Sequence, residues 1–389
     1  MKEVCYKERR HTDSKKWDAC REQFGEEELL PLWVADMDFE APACVREALR
    51  KYVDFGVFGY YHPSEEYGEA FVRWEAARHG YQVEKEWLRF SPGVVPAVNW
   101  LVQILTKEED HVLIMPPVYY PFKDSLINNH RQVTESPLIR RENSYVIDYE
   151  DFERKIEEED VKLFILCSPH NPVGRVWKKE EIRRVMDICK KHGVYVISDE
   201  IHQDLVMKGH SHIPTATAGD YDEILVTLTA ATKTFNLAAC QNSIVILPDS
   251  GLRERYDAYT DRIRIKGGNS FGYVAVQSAY EGGADWLAEV LEIIEDNYNC
   301  LKQMLEEALP KAWIAQMEGT YLMWIDLGAY LRPEEMEQVI QGKCGLAVDY
   351  GSWFGKGENE TFIRVNLATK QENVRLAGER IIEALRERA

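Results

Sequence analysis

An α/β fold with a mostly parallel central sheet, helices on both of its faces and a smaller α+β domain beside it is what this 389-residue sequence predicts. Three observations carry the expectation. Between about residues 85 and 250, short apolar runs alternate with longer amphipathic ones, the pattern of strand–helix–strand units around a parallel sheet. Beyond about residue 285 the order changes, and two helical patterns bracket two strand-like runs. The chain is also too long for one simple core, so two domains are the natural division.

The strands expected in the first region are Val112–Met115, Lys162–Cys167, Val194–Ile197, Ile224–Leu228 and Ser243–Leu247. Each is apolar almost throughout instead of alternating, as strands covered on both faces are. Between the second and third lies a marked helix. It opens on Lys178-Lys179-Glu180-Glu181, carries Ile182, Val185, Met186 and Cys189 on one side, and closes on Lys190-Lys191-His192-Gly193. Acid early, base late and glycine just past the end suit the helix dipole and its C-cap. In the tail, 286–309 and 371–388 read as helices, the latter with Val374, Ala377, Ile381 and Leu385 on one side; Tyr321–Leu327 and Thr361–Leu367 read as strands. The expected division is an N-terminal segment, 1–45, joining a small domain at 286–389, with a large cofactor-binding domain at 46–285.

Composition removes several functions. Hydrophobic residues make up 45% and charged residues 29%, ordinary for a globular enzyme. A formal charge of −19 argues against nucleic acid or an anionic membrane as the partner. The eight cysteines are scattered with no C-x-x-C pair, which points to reduced thiols, a cytoplasmic location and no zinc site. The charged first ten residues show no secretory signal, and no apolar run has the length of a membrane span. His210-Ser211-His212 has no third ligand at metal spacing, so no metal is expected.

Three polar residues stand just after apolar strands: Asn171 in Ser168-Pro169-His170-Asn171-Pro172-Val173-Gly174, Asp199 in Ser198-Asp199-Glu200-Ile201-His202, and Lys233 in Thr232-Lys233-Thr234-Phe235-Asn236. The carboxyl edge of a parallel sheet is where ligands bind. A lysine buried there is pushed toward its neutral, nucleophilic form. Together the three suit a pyridoxal 5′-phosphate (PLP) pocket, the lysine capturing the aldehyde and the aspartate holding a proton on the pyridine nitrogen. Taken singly, Asp199 reads equally as a helix cap and Asn171 as an Asn-Pro turn.

These residues resemble those of the fold-type I PLP enzymes, the aminotransferase class I/II superfamily, over nearly the whole chain. Five segments, in order, resemble the subgroup of carbon–sulfur β-lyases of the MalY/PatB type: Leu30-Pro31-Leu32-Trp33-Val34-Ala35-Asp36-Met37-Asp38-Phe39, Ser91-Pro92-Gly93-Val94-Val95-Pro96-Ala97, Pro116-Pro117-Val118-Tyr119-Tyr120-Pro121-Phe122, Ser168 to Gly174, and Lys233-Thr234-Phe235-Asn236. The resemblance implies a fold-type I PLP-transferase-like architecture and roles for particular residues.

Asn171 bonds the phenolic oxygen of the cofactor and also belongs to the substrate site. Tyr119 stacks on the pyridine ring and counts with Lys233 and Asp199 as catalytic; without its motif it reads as a core tyrosine. His202 stands where many relatives have tyrosine; it lines the pocket by resemblance and reads as structural by its chemistry. Gly93, Val94 and Val95 open a helix and offer backbone N–H groups to the phosphate, joined by the hydroxyls of Thr229 and Thr232. Gln241 occupies a position where many relatives carry a phosphate-binding arginine, so one expected cation is missing. Tyr60 resembles a phosphate-binding tyrosine donated by a neighbouring subunit, which implies a homodimer with shared active sites. Arg364 clamps the substrate α-carboxylate, with the backbone N–H of Ala35 beside it; on spacing alone it reads as a surface arginine on an edge strand.

The implied partner is a small amino-acid substrate. The implied activity is β-elimination from L-cystathionine, L-cysteine or related cysteine S-conjugates. The same residues serve an aminotransferase, because both reactions begin at the Cα–H bond. A PLP-fold regulatory protein with little turnover is the third reading.

Overall fold

The computed structural model describes residues 3–388. Its main sheet has seven strands: β1 (Leu88–Ser91), β2 (His111–Ile114), β3 (Gln132–Glu135), β4 (Leu163–Cys167), β5 (Tyr195–Asp199), β6 (Leu225–Thr229) and β7 (Ser243–Ile246). Their order across the sheet is β1-β7-β6-β5-β4-β2-β3. Strands β2 to β6 pair in parallel, while β7 is antiparallel to both β1 and β6.

The near-continuous apolar runs have a direct cause. Along them, side chains alternate between two separate cores. Leu113, Phe164, Leu166 and Val196 face the helix Lys179–His192, with its buried Ile182, Val185, Met186 and Cys189. Val112, Ile114, Leu163, Ile165, Ile197 and Val226 face the helix Val94–Leu105, through Val98, Leu101 and Val102. Neither face of these strands is wet, so apolar residues dominate both faces and the polar ones gather toward the strand ends. Helix Lys179–His192 ends as its sequence implies, with Gly193 in the left-handed region at φ 67°.

All five strands expected in this region are present, and the sequence pattern missed β1 and β3. These sit at the two edges of the sheet and are only partly buried, so they lack the apolar signal of the centre. The direction of β7 follows from its connection. The residues between Thr229 and Ser243 form tight turns around Lys233 with no crossover helix, so the chain returns antiparallel.

A second, antiparallel sheet has the order β8-β9-β11-β10, from β8 (Trp313–Ile314), β9 (Leu322–Asp326), β10 (Asp349–Tyr350) and β11 (Phe362–Asn366). The helices Ala284–Ala308 and Gln371–Leu385 flank it, and Val374, Ala377, Ile381 and Leu385 are all fully buried. The N-terminal segment joins this sheet: Leu30–Pro31 pairs in parallel with Leu346–Ala347, and the Asn366 amide donates to Val34 O (2.6 Å) and Asp36 O (2.7 Å). Asn236, three residues beyond Lys233, donates to Met37 O and Phe39 O, both at 2.9 Å. The Trp33–Phe39 loop is thereby stretched from the second sheet to the carboxyl edge of the first. Among the described residues, no helix is long and apolar enough to cross a membrane.

Candidate active site

Three adjacent parallel strands place the central residues. Asp199 is the last residue of β5 and pairs in register with Cys167, the last of β4, and with Leu228 of β6. Asn171 follows β4 by four residues, and Lys233 sits in the helical turn Ala231–Thr234 that follows β6. All three line one cavity of about 230 Å³, together with Ala35, Gly93, Val94, Val95, Tyr119, His202 and Thr232.

Burial sets the electrostatics. It lowers the Lys233 ammonium to about 8, against attraction from Asp36 and Asp199 and with help from Arg364. The Nζ of Lys233 donates to Ala35 O at 2.7 Å, an acceptor that Tyr321 OH shares at 2.8 Å. It is thus the carbonyl of Ala35 that faces the amine. Asp199 is raised to about 7 by burial, although its Oδ1 accepts the Ile201 N–H at 3.1 Å and Lys233 pulls it down. A cationic N–H against this carboxylate would relieve that penalty. His202 is fully buried and held down to about 3 by burial and by Lys233 and Arg364, so it is a neutral imidazole; its Nδ1 has no partner.

The helix Val94–Leu105 presents its first turn to the cavity, capped by Gly93, so the N–H groups of Val94 and Val95 are free of intrahelical bonds. Ser243, the first residue of β7, also lines the cavity, and its buried Oγ lacks a partner. Thr229 does not line it, but its buried Oγ1 is likewise unpartnered. Unsatisfied buried donors beside an N-terminal helix turn suit an anion. Gln241 is exposed, turned away in a left-handed conformation at φ 47°. Ser243 was not legible as a site residue, since it reads as the polar start of an apolar strand.

Arg364 lies on β11 with strands on both sides and is 2% exposed, so it is no surface residue of an edge strand. Its guanidinium donates to Asn171 Oδ1 at 3.0 Å, Trp33 O at 3.1 Å and the carboxylate of Asp349, and it stacks over the Phe354 ring at 4.9 Å. Because the Asn171 oxygen is taken by Arg364, its amide NH₂ is left for a ligand in the cavity. Tyr60 is fully exposed and does not reach the cavity of its own chain. His212, the candidate ligand of the His-Ser-His segment, is buried against Glu200 at 2.9 Å.

The cavity therefore offers an amine of depressed basicity, a buried carboxyl suited to a cationic N–H, an amide donor, a flat aromatic wall and an anion-binding helix turn. Over 374 residues, the chain is 41% identical to cystathionine beta-lyase PatB of Bacillus subtilis, covering 95% of this chain and 96% of the relative. Cystalysin from Treponema denticola, whose structure contains PLP, superposes with a TM-score of 0.95 at 35% identity, covering 99% of this chain and 98% of that one. The PLP-bound C–S lyase from Staphylococcus hominis gives a TM-score of 0.92 at 35% identity, covering 97% and 96%. Residues 27–381 match the family described as aminotransferase class I and II, and the chain belongs to that family.

Proposed function

We propose that this protein is a PLP-dependent carbon–sulfur β-lyase. It cleaves L-cystathionine, L-cysteine or related cysteine S-conjugates to pyruvate, ammonia and a thiol. The observation that carries this reading is the convergence of Lys233, Asp199, Asn171 and the Gly93–Val95 turn on one cavity, in a chain 41% identical to a cystathionine beta-lyase over 95% of its length.

The residues fit the cofactor. Lys233 would hold its aldehyde carbon, Asp199 its pyridine N–H, Asn171 Nδ2 and His202 its oxygen-bearing edge, and Tyr119 one ring face. The first turn at Gly93, Val94 and Val95, with Thr232 and Ser243 in the same lining, would hold the phosphate. When bound, PLP supplies an electron sink for the pair left behind when the Cα–H bond breaks. Arg364 and the backbone N–H of Ala35 would orient the substrate carboxylate, and Asn171, bonded to Arg364, lines the cofactor cavity. Once the substrate amine has taken its place on the aldehyde carbon, the freed Lys233 amine, neutral above about pH 8, would take the Cα proton. The Cβ–S bond then breaks with its electron pair leaving on sulfur, the thiolate takes up a proton, and water hydrolyses the remaining unsaturated amino acid to pyruvate and ammonia.

Three further readings accompany this one. The chain divides into 1–45, 46–285 and 286–389; the pairing of Leu30–Pro31 with Leu346–Ala347 supports grouping the first with the last. The protein works as a homodimer. Phe55, Phe58, Tyr60, Tyr61 and Phe271 are exposed, with Tyr52, Phe58 and Phe271 in one ring cluster, an apolar surface that a second copy covers while Tyr60 reaches its phosphate site. Its place is the cytoplasm, in keeping with eight free cysteines.

The test is to give PLP-loaded protein L-cystathionine, and separately L-cysteine, without any keto acid. Matched, sustained release of pyruvate and thiol or sulfide is expected. No pyruvate, with a cofactor absorbance change that only a keto acid reverses, makes the protein an aminotransferase instead, an outcome that the matched family keeps open. Neither result with any amino acid leaves the regulatory reading.

A further inference from the structure

Asp349 and Arg364 face each other as register partners on β10 and β11, and both are 2% exposed. The guanidinium Nη2 donates to Asp349 Oδ2, and Asp349 makes no other side-chain hydrogen bond. Burial holds the Asp349 carboxyl up at about 6 even against the neighbouring Arg364. The remaining contacts of Arg364 are to neutral oxygens, those of Asn171 and Trp33, and its Nε is buried without a partner. The residue that grips the substrate carboxylate is therefore already paired with a carboxylate of the protein. A buried arginine left alone would be costly, and a fully compensated one competes for its own ligand.

We propose that Asp349 sets the affinity of the carboxylate clamp: it partly neutralises Arg364, so that substrate and product carboxylates bind weakly enough to exchange. The inference rests on Arg364 being the clamp. It makes Asp349 a positioning and specificity residue, acting through Arg364 and not on the reacting atoms. Two carboxylates sharing one guanidinium repel each other. Replacing one by an isosteric amide keeps an oxygen acceptor for Nη2 while removing the repulsion.

The experiment measures propionate binding to the full-length, PLP-loaded protein by calorimetry, with propionamide as the uncharged control. Asp349→Asn should tighten propionate about tenfold to a hundredfold, the order expected for deleting a unit charge about 6–12 Å away, across the guanidinium, at an effective dielectric of about 20. Propionamide should not respond. The gain should vanish in the double variant Asp349→Asn/Arg364→Gln, which a merely structural role for Asp349 does not predict. Asp349→Ser provides a second neutral variant. Unchanged or weaker propionate binding in the neutral variants overturns the proposal, as does a gain that survives loss of Arg364, or failure of both neutral variants to fold. Because the readout is binding, a protein that passes this test and releases no pyruvate from L-cystathionine loses the lyase assignment and keeps this inference.

Discussion

The two walls of the active site are built on opposite electrostatic plans. On the wall made by the main sheet, polar groups are left open: Asp199 has only the Ile201 N–H on its Oδ1, and His202 Nδ1 and Ser243 Oγ are buried without partners among the described residues. In the second sheet and the N-terminal segment, which reach the cavity lining through Ala35, charge is compensated internally. Lys16 and Asp38, both completely buried, pair at 2.8 Å; Arg9 grips Asp36 with two bonds of 2.8 Å; Arg364 is paired with Asp349. The first arrangement leaves polar groups for a ligand to satisfy, so binding of that ligand adds stability. The second has its buried charges paired within the protein, with Arg364 Nε a buried donor there that has no partner among the described residues.

That contrast can be broken most severely at Lys233. Lys233→Ala should abolish covalent retention of PLP, seen as loss of cofactor absorbance after dialysis, and lower turnover by about 10⁴-fold or more. Retained absorbance would remove the lysine from its assigned role. On the other wall, Lys16→Ala leaves Asp38 buried with only Arg9 and Trp17 as neighbours, and should destabilise the protein by about 3–5 kcal/mol in urea titration. A loss below about 1 kcal/mol would contradict internal compensation there. Arg364→Ala should raise KM for amino-acid substrates about 100-fold with a smaller change in kcat, and an unchanged KM sinks the clamp.

Two smaller effects sharpen the comparison. The rate at which cofactor-free protein captures PLP should rise with pH and level off above about 8, because the depressed Lys233 is protonated below that value and nucleophilic above it. A rise continuing toward pH 10 would mean that burial does not perturb the amine. Ser243→Ala removes a cavity-lining hydroxyl that has no partner among the described residues, so stability without cofactor should shift by no more than about 1 kcal/mol. PLP affinity should fall severalfold, measured by equilibrium dialysis.

The cofactor wall was largely legible from sequence. Asn171, Asp199 and Lys233 each follow a run such as Leu163–Cys167 that has no wet face, and a polar residue just beyond such a strand can point only into the ligand edge of the sheet. The substrate wall was not. Arg364 lies in a five-residue run from an antiparallel sheet, and nothing local marks it as buried or pairs it with Asp349 or Trp33. Tyr60 shows the same limit: the chain alone leaves it exposed.

By itself, then, the sequence determined the strand–helix alternation, the cap at Gly193 and the three residues at the carboxyl edge, because periodicity and capping are local and burial on two faces writes itself into composition. Only the tertiary structure decided that β7 runs backwards, that Ser243 faces the cavity, that Gln241 does not, and that Arg364 is already paired with Asp349. Those facts depend on which distant segments meet, and charge compensation in a buried site is a property of the meeting, carried by no one stretch of chain.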